Sequence, residues 1–93
     1  MSAARLKEIA AHVGALNTDT VSVTAQLDLR GIAFRAVDYD ANLQEFLMFG
    51  YADFDQLQSL QPLLDRVTGL RDNVRDKAAL KTDWLEKHGG KRR

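Results

Sequence analysis

Cysteine is absent from this chain of 93 residues. Disulfides, thiolate zinc sites and cysteine nucleophiles are excluded together. Small secreted domains usually depend on such staples, so the composition points to a cytoplasmic protein. Proline occurs once, at Pro62, and of the six glycines only Gly89 and Gly90 are adjacent. No glycine-rich phosphate loop fits that distribution. No apolar run approaches the roughly 20 residues of a membrane span. The opening "MSAARLKEIAAHVGAL" does not read as a secretory signal, because Glu8 and His12 interrupt its apolar segment. No serine sits in a nucleophile motif, and no metal or cofactor signature is present, so none is expected.

What the chain does contain is ordinary for a folded domain: 45% hydrophobic and 28% charged residues. A chain of this length folds as one unit, here placed at residues 1–88, with 89–93 a basic tail. The net charge is zero, but the charges are segregated. Residues 38–65 carry six acids (Asp38, Asp40, Glu45, Asp53, Asp55, Asp65) and no lysine or arginine. Residues 66–93 carry nine basic residues against four acids. Such a split concerns partners rather than fold.

Periodicity gives the elements. Leu6, Ile9, Ala10, Val13 and Leu16 recur at helical spacing, which predicts a helix at about 3–16, with Ser2 as N-cap and "NTDT" as its stop. Alternation through "VSVTAQLDL" predicts a strand, and Gly31 after Arg30 would supply the positive φ of a tight hairpin. "IAFRAVDY" and "QEFLMFGY" read as two more strands. The last has Phe46 and Met48 on one face and Leu47, Phe49 and Tyr51 on the other. A strand apolar on both faces needs a second cover, supplied by a helix or by a partner chain. Asp53 and Gln56 fit a capping box for a short helix at about 54–60. Pro62 suits the first turn of a longer helix, which either continues to Lys87 or restarts near Asp76. Gly69 within that helix would mark a close approach. The expected fold is α+β: an N-terminal helix, a three-stranded antiparallel meander and two C-terminal helices packed on the sheet.

Asp38, Asp40 and Asn42 stand at alternate positions, as in a calcium loop. Counting from Asp38, however, the required glycine is Leu43 and the required glutamate is Phe49. The stretch therefore reads as a turn between strands. His12 reads as a boundary residue with Glu8 one turn back, and His88 as a cation at a helix C-terminus. An enzymatic role would fall on Asp38, Asp40 and Glu45 as interacting carboxylates, but exposed acids at turns are common and none is expected to be catalytic.

The favoured function is therefore binding without catalysis. Asp38, Tyr39, Asp40, Glu45, Tyr51, Asp53, Phe54 and Asp55 interleave acids with aromatics and form the candidate partner-binding surface of a small regulator, adaptor or inhibitor. Small accessory proteins of phages and mobile elements share this plain profile. The alternative is a nucleic-acid-binding accessory protein that uses Arg71, Arg75, Lys81, Lys91, Arg92 and Arg93 on the last helix and tail. A homodimer is a further expectation, with the basic helix of one copy meeting the acidic segment of another.

Overall fold

The computed structural model describes residues 3–88. Ser2 and the tail glycines and basic residues at 89–93 lie outside them. The elements are α1 (Ala3–Leu16), β1 (Val21–Leu27), β2 (Gly31–Asp38), β3 (Leu43–Gly50), α2 (Tyr51–Asp55) and α3 (Gln61–His88). The strands form one antiparallel sheet in the order β1-β2-β3, with the helices packed on it. The fold is α+β.

Strand alternation sorts the side chains. Val21 and Val23 of β1, Ile32, Phe34 and Ala36 of β2, and Leu47 and Phe49 of β3 turn to the helix side. There they meet Ile9, Val13 and Leu16 of α1, Phe54 of α2 and Leu63, Leu64, Val67 and Val74 of α3. Fully burying a side chain of this size contributes about 1.5–3 kcal/mol. This one layer of contact between sheet and helices therefore supplies most of the driving force. The other face bears Ser22, Thr24 and Gln26, then Ala33, Arg35 and Val37, then Gln44, Phe46 and Met48. Both α1 and α3 serve the core face, so the expected second cover for β3 is not supplied by a helix.

Asn17 and Thr18 explain how α1 stops and β1 starts. The Asn17 amide donates from Nδ2 to the carbonyls of Gly14 and Val13, while its Oδ1 accepts the Val23 N–H at 2.7 Å. Thr18 Oγ1 accepts the Val21 N–H at 3.0 Å, and the Thr18 N–H bonds back to the Val21 carbonyl. Asn17 thus closes the helix end and ties it to the strand. Asn17→Ala should destabilise the fold by about 1–3 kcal/mol, since it leaves the Val23 N–H and the last carbonyls of α1 without these partners. Urea unfolding checks this; an unchanged midpoint would mean that water replaces the amide at no cost.

At the turn 39–42, Asp38 Oδ1 accepts the Ala41 N–H at 2.8 Å, and Asn42 takes φ 56°. That is the turn the sequence indicates. Asp38 rather than Asp40 makes the side-chain bond.

Several sequence expectations are corrected. No described glycine has positive φ. Gly31 is needed for close approach to β3, because a Cβ there would collide with the Phe49 carbonyl oxygen. The capping box does not form: α2 starts at Tyr51 behind Gly50, which makes no side-chain cap bond, and Gln56 is its C-cap. The Tyr51 N–H bonds to the Arg30 carbonyl, so β3 is pinned to the β1–β2 turn and the helix begins there. Gly69 has nothing within 4 Å of its would-be Cβ and marks no close approach. The helix from Gln61 runs unbroken through Asp76 to His88. Its 28 residues span about 42 Å at 1.5 Å each, against about 26 Å for an eight-residue strand. Its last turns therefore extend beyond the sheet, and residues 79–88 are all exposed.

Candidate functional site

The eight acidic and aromatic residues singled out in the sequence do not form one surface. Register places Asp38 beside Leu43 at one end of β3 and Gly31 beside Gly50 at the other. The 38–40 group and the 51–55 group are therefore separated by the strand's length, about 26 Å. Asp38 is buried and occupied by its turn bond. Phe54 is wholly buried, its ring edge-on to Phe49 at 6.4 Å and under the Arg5 guanidinium at 5.5 Å. Glu45 accepts from Lys77 Nζ at 2.6 Å. Tyr51 is half-buried against the core. Tyr39, Asp40, Asp53 and Asp55 remain exposed.

The basic helix meets the acidic segment within one chain. Besides the Lys77–Glu45 pair, Lys81 Nζ donates to the Ala41 carbonyl at 2.5 Å. Arg71 bonds Asp72 and the Leu16 carbonyl. Arg75 lies 3.6 Å from Asp72 and 3.7 Å from Asp76, and Lys87 lies 3.3 Å from Asp83. A second copy is not needed to neutralise these charges. Lys91, Arg92 and Arg93 lie outside the described residues.

Where α3 passes the 39–42 turn, an open cleft of about 510 Å³ is lined by Asp38, Asp40, Asp83, Glu86, Arg75 and Thr82, among others. Four of these six are carboxylates, and the one cation is shared with Asp72 and Asp76. No group of three or more His, Cys, Asp or Glu side chains placed to hold a metal occurs among the described residues. His12 Nε2 is buried without a hydrogen-bond partner, and Glu8 does not reach it.

Exposed apolar side chains stand on both layers of the β3 side, and the sequence did not show that the two sets share that side. On the uncovered sheet face Phe46 is 64% and Met48 46% exposed. On α3, Arg66, Leu70, Asn73, Lys77, Leu80 and Trp84 are spaced 4, 3, 4, 3 and 4 apart, which sets them along one side of the helix. Arg66 lies over the Phe49 ring at 5.5 Å and Lys77 pairs with Glu45, so that side faces β3. Leu80 is 70% and Trp84 57% exposed on it. The 4-3-4-3-4 spacing could have been read in the sequence. It was hidden by the stronger core pattern through Leu60, Leu64, Val67 and Val74.

The two sheet edges differ. The Val21 and Val23 N–H groups turn outward to Thr18 and Asn17, so part of the β1 edge is closed by the chain itself. Direction alternates along antiparallel strands. Ser22, Thr24 and Gln26 therefore bond β2 through Val37, Arg35 and Ala33, and Ile32, Phe34 and Ala36 bond Phe49, Leu47 and Glu45. The Tyr51 bond to Arg30 has the same parity. Gln44, Phe46 and Met48 consequently point their N–H and C=O groups away from the sheet. β3 has no proline, lysine, arginine or register break to blunt this edge.

No helix of the described residues is long and apolar enough to cross a membrane. Comparison with protein-family models, with curated proteins and with solved structures gave no match.

Proposed function

We propose that the protein acts by binding another protein chain, without catalysis, as a cytoplasmic regulator, adaptor or inhibitor. The observation that carries this reading is the concentration of exposed Phe46, Met48, Leu80 and Trp84 on the β3 side, next to an unblunted strand edge. Scattered single apolar residues are normal on a surface, whereas exposed apolar pairs in both layers flanking an open strand edge favour protein contact. Asp40, Asp83 and Glu86 around the cleft suit a basic segment at the rim of such a contact. Nucleic-acid binding has less support, because Arg71, Arg75, Lys77 and Lys81 are already engaged within the chain.

A photo-crosslinking side chain at position 46 or 84 should yield protein adducts in host lysate, and one at Gln58 on the α2–α3 connection should not. Equal, background yields at all three positions would remove the reading. Reversal of Asp40 and Asp83 to Lys should leave the adducts in place or weaken them a few-fold, as expected for rim charges.

A further inference from the structure

We infer that the β3 side receives a second copy of this chain, with β3 pairing antiparallel to its counterpart about a twofold axis at Phe46. The inference rests on the reading of that side as a protein-contact surface and names the partner.

The backbone sets the register. Gln44, Phe46, Met48 and Gly50 are the β3 residues of outward parity, and Gly50 is already the N-cap of α2, which leaves the first three for pairing. Centring the twofold on the middle one pairs Phe46 with its own copy and Gln44 with Met48 on each side. The outward N–H groups of Gln44, Phe46 and Met48 in each chain then meet a carbonyl. A twofold contact is self-complementary by construction. The same step sets the Phe46 rings of the two copies side by side on the open face, with Met48 next to them, which takes part of their apolar area out of water.

The helix layer decides between a second copy and an extended peptide. A peptide added to β3 would pair the edge and touch Phe46 and Met48, but Leu80 and Trp84 would stay in solvent. α3 lies over β2 and β3. With strands about 4.8 Å apart, two helices each seated above their own β2–β3 boundary come to about 10 Å, the distance at which helices pack. The stripe of Arg66, Leu70, Asn73, Lys77, Leu80 and Trp84 is the side that meets its counterpart. The helices run antiparallel there, so the exposed Leu80 and Trp84 of one copy lie against the Arg66 and Leu70 end of the other. An arginine facing a tryptophan ring is a favourable pairing. The only charge within β3 is Glu45, and it is paired with Lys77. The β1 edge offers only a shorter run, since Asn17 and Thr18 occupy its Val21 and Val23 positions.

The test uses the full chain, which has no cysteine of its own. Light scattering should give twice the chain mass of 10.4 kDa. Phe46→Cys should form an interchain disulfide at least tenfold faster than Thr24→Cys, because a hydrogen-bonded antiparallel pair sets the Cα atoms about 5.5 Å apart, within disulfide range. Thr24 is exposed on the same sheet face but on β1. Phe46→Lys should give a monomer with an unchanged far-ultraviolet circular dichroism spectrum, and Trp84→Ser should raise the dimer dissociation constant at least tenfold. A monomer at millimolar concentration overturns the inference, as does a dimer whose bond at 46 forms no faster than that at 24. A purified monomer that still gives adducts with other proteins from positions 46 and 84 overturns the dimer and leaves the protein-binding reading standing. Absence of any adduct, self or foreign, at both positions removes the two together.

Discussion

Gly31→Ala is expected to destabilise the protein by about 3 kcal/mol, the upper end of the usual range for inserting a methyl group where there is no room. On the scale of 4–8 °C per kcal/mol for a domain of this size, that lowers the melting temperature by roughly 12–24 °C. The added Cβ would run into the Phe49 carbonyl oxygen and lie 2.8 Å from Gly50 Cα and 2.9 Å from the Phe49 carbonyl carbon. All three are backbone atoms, so no side chain can rotate aside. Either β2 and β3 part at this end or the β1–β2 turn shifts, and the Tyr51 N–H bond to the Arg30 carbonyl goes with it. Gly69→Ala is the control. It adds the same methyl group within α3 where nothing lies within 4 Å, and helix propensity alone favours Ala by about 1 kcal/mol. Urea unfolding should move the two midpoints in opposite directions. A Gly31→Ala midpoint at or above the wild-type value would show that the strand pair tolerates the methyl and that the close approach is unimportant.

Phe54→Ala should cost about 3–5 kcal/mol, the usual loss for deleting a buried phenyl ring. A domain of this kind has only about 5–15 kcal/mol in total, so a large share of the variant's molecules would be unfolded under mild heating. Phe54 is the buried anchor of α2 and sits edge-on to Phe49. The Arg5 guanidinium lies over the same ring while donating to the Leu57 carbonyl at 3.1 Å. One ring therefore joins α1, β3 and the α2–α3 connection. Phe54→Leu, which keeps most of the volume, should lose under about 1.5 kcal/mol and should retain crosslinking at positions 46 and 84. Thermal unfolding of both variants checks the energies. If Phe54→Leu stays folded but loses the adducts, Phe54 takes part in contact after all, and its burial has been misread.

Phe54 marks a limit of what the sequence makes legible. Its spacing from Asp53 and Asp55 suggested a ring among acids at the surface. The direction of a residue in a five-residue helix is set by what the helix leans on, and that is the core side of β3. The Asp38 group and the Asp53 group are close along the chain. A strand carries its ends apart by about 3.3 Å per residue, so closeness in sequence became separation in space. The sheet pattern was more legible. The alternation that put Phe46 and Met48 opposite Leu47 and Phe49 is the one the strand adopts, because period two is a property of the extended backbone itself.

Local order thus came from the chain's own periodicities. The stop at Asn17 and Thr18, the turn at Asp38–Asn42, the seat of Pro62 and the α+β order all follow from interactions between residues a few positions apart. Tertiary structure alone decided which sheet face stays bare, which edge is closed, and which lysine finds which acid. The Lys77–Glu45 and Arg71–Leu16 contacts join residues 32 and 55 positions apart. Such pairings are fixed by how helices lie across strands, a geometry that no local spacing encodes.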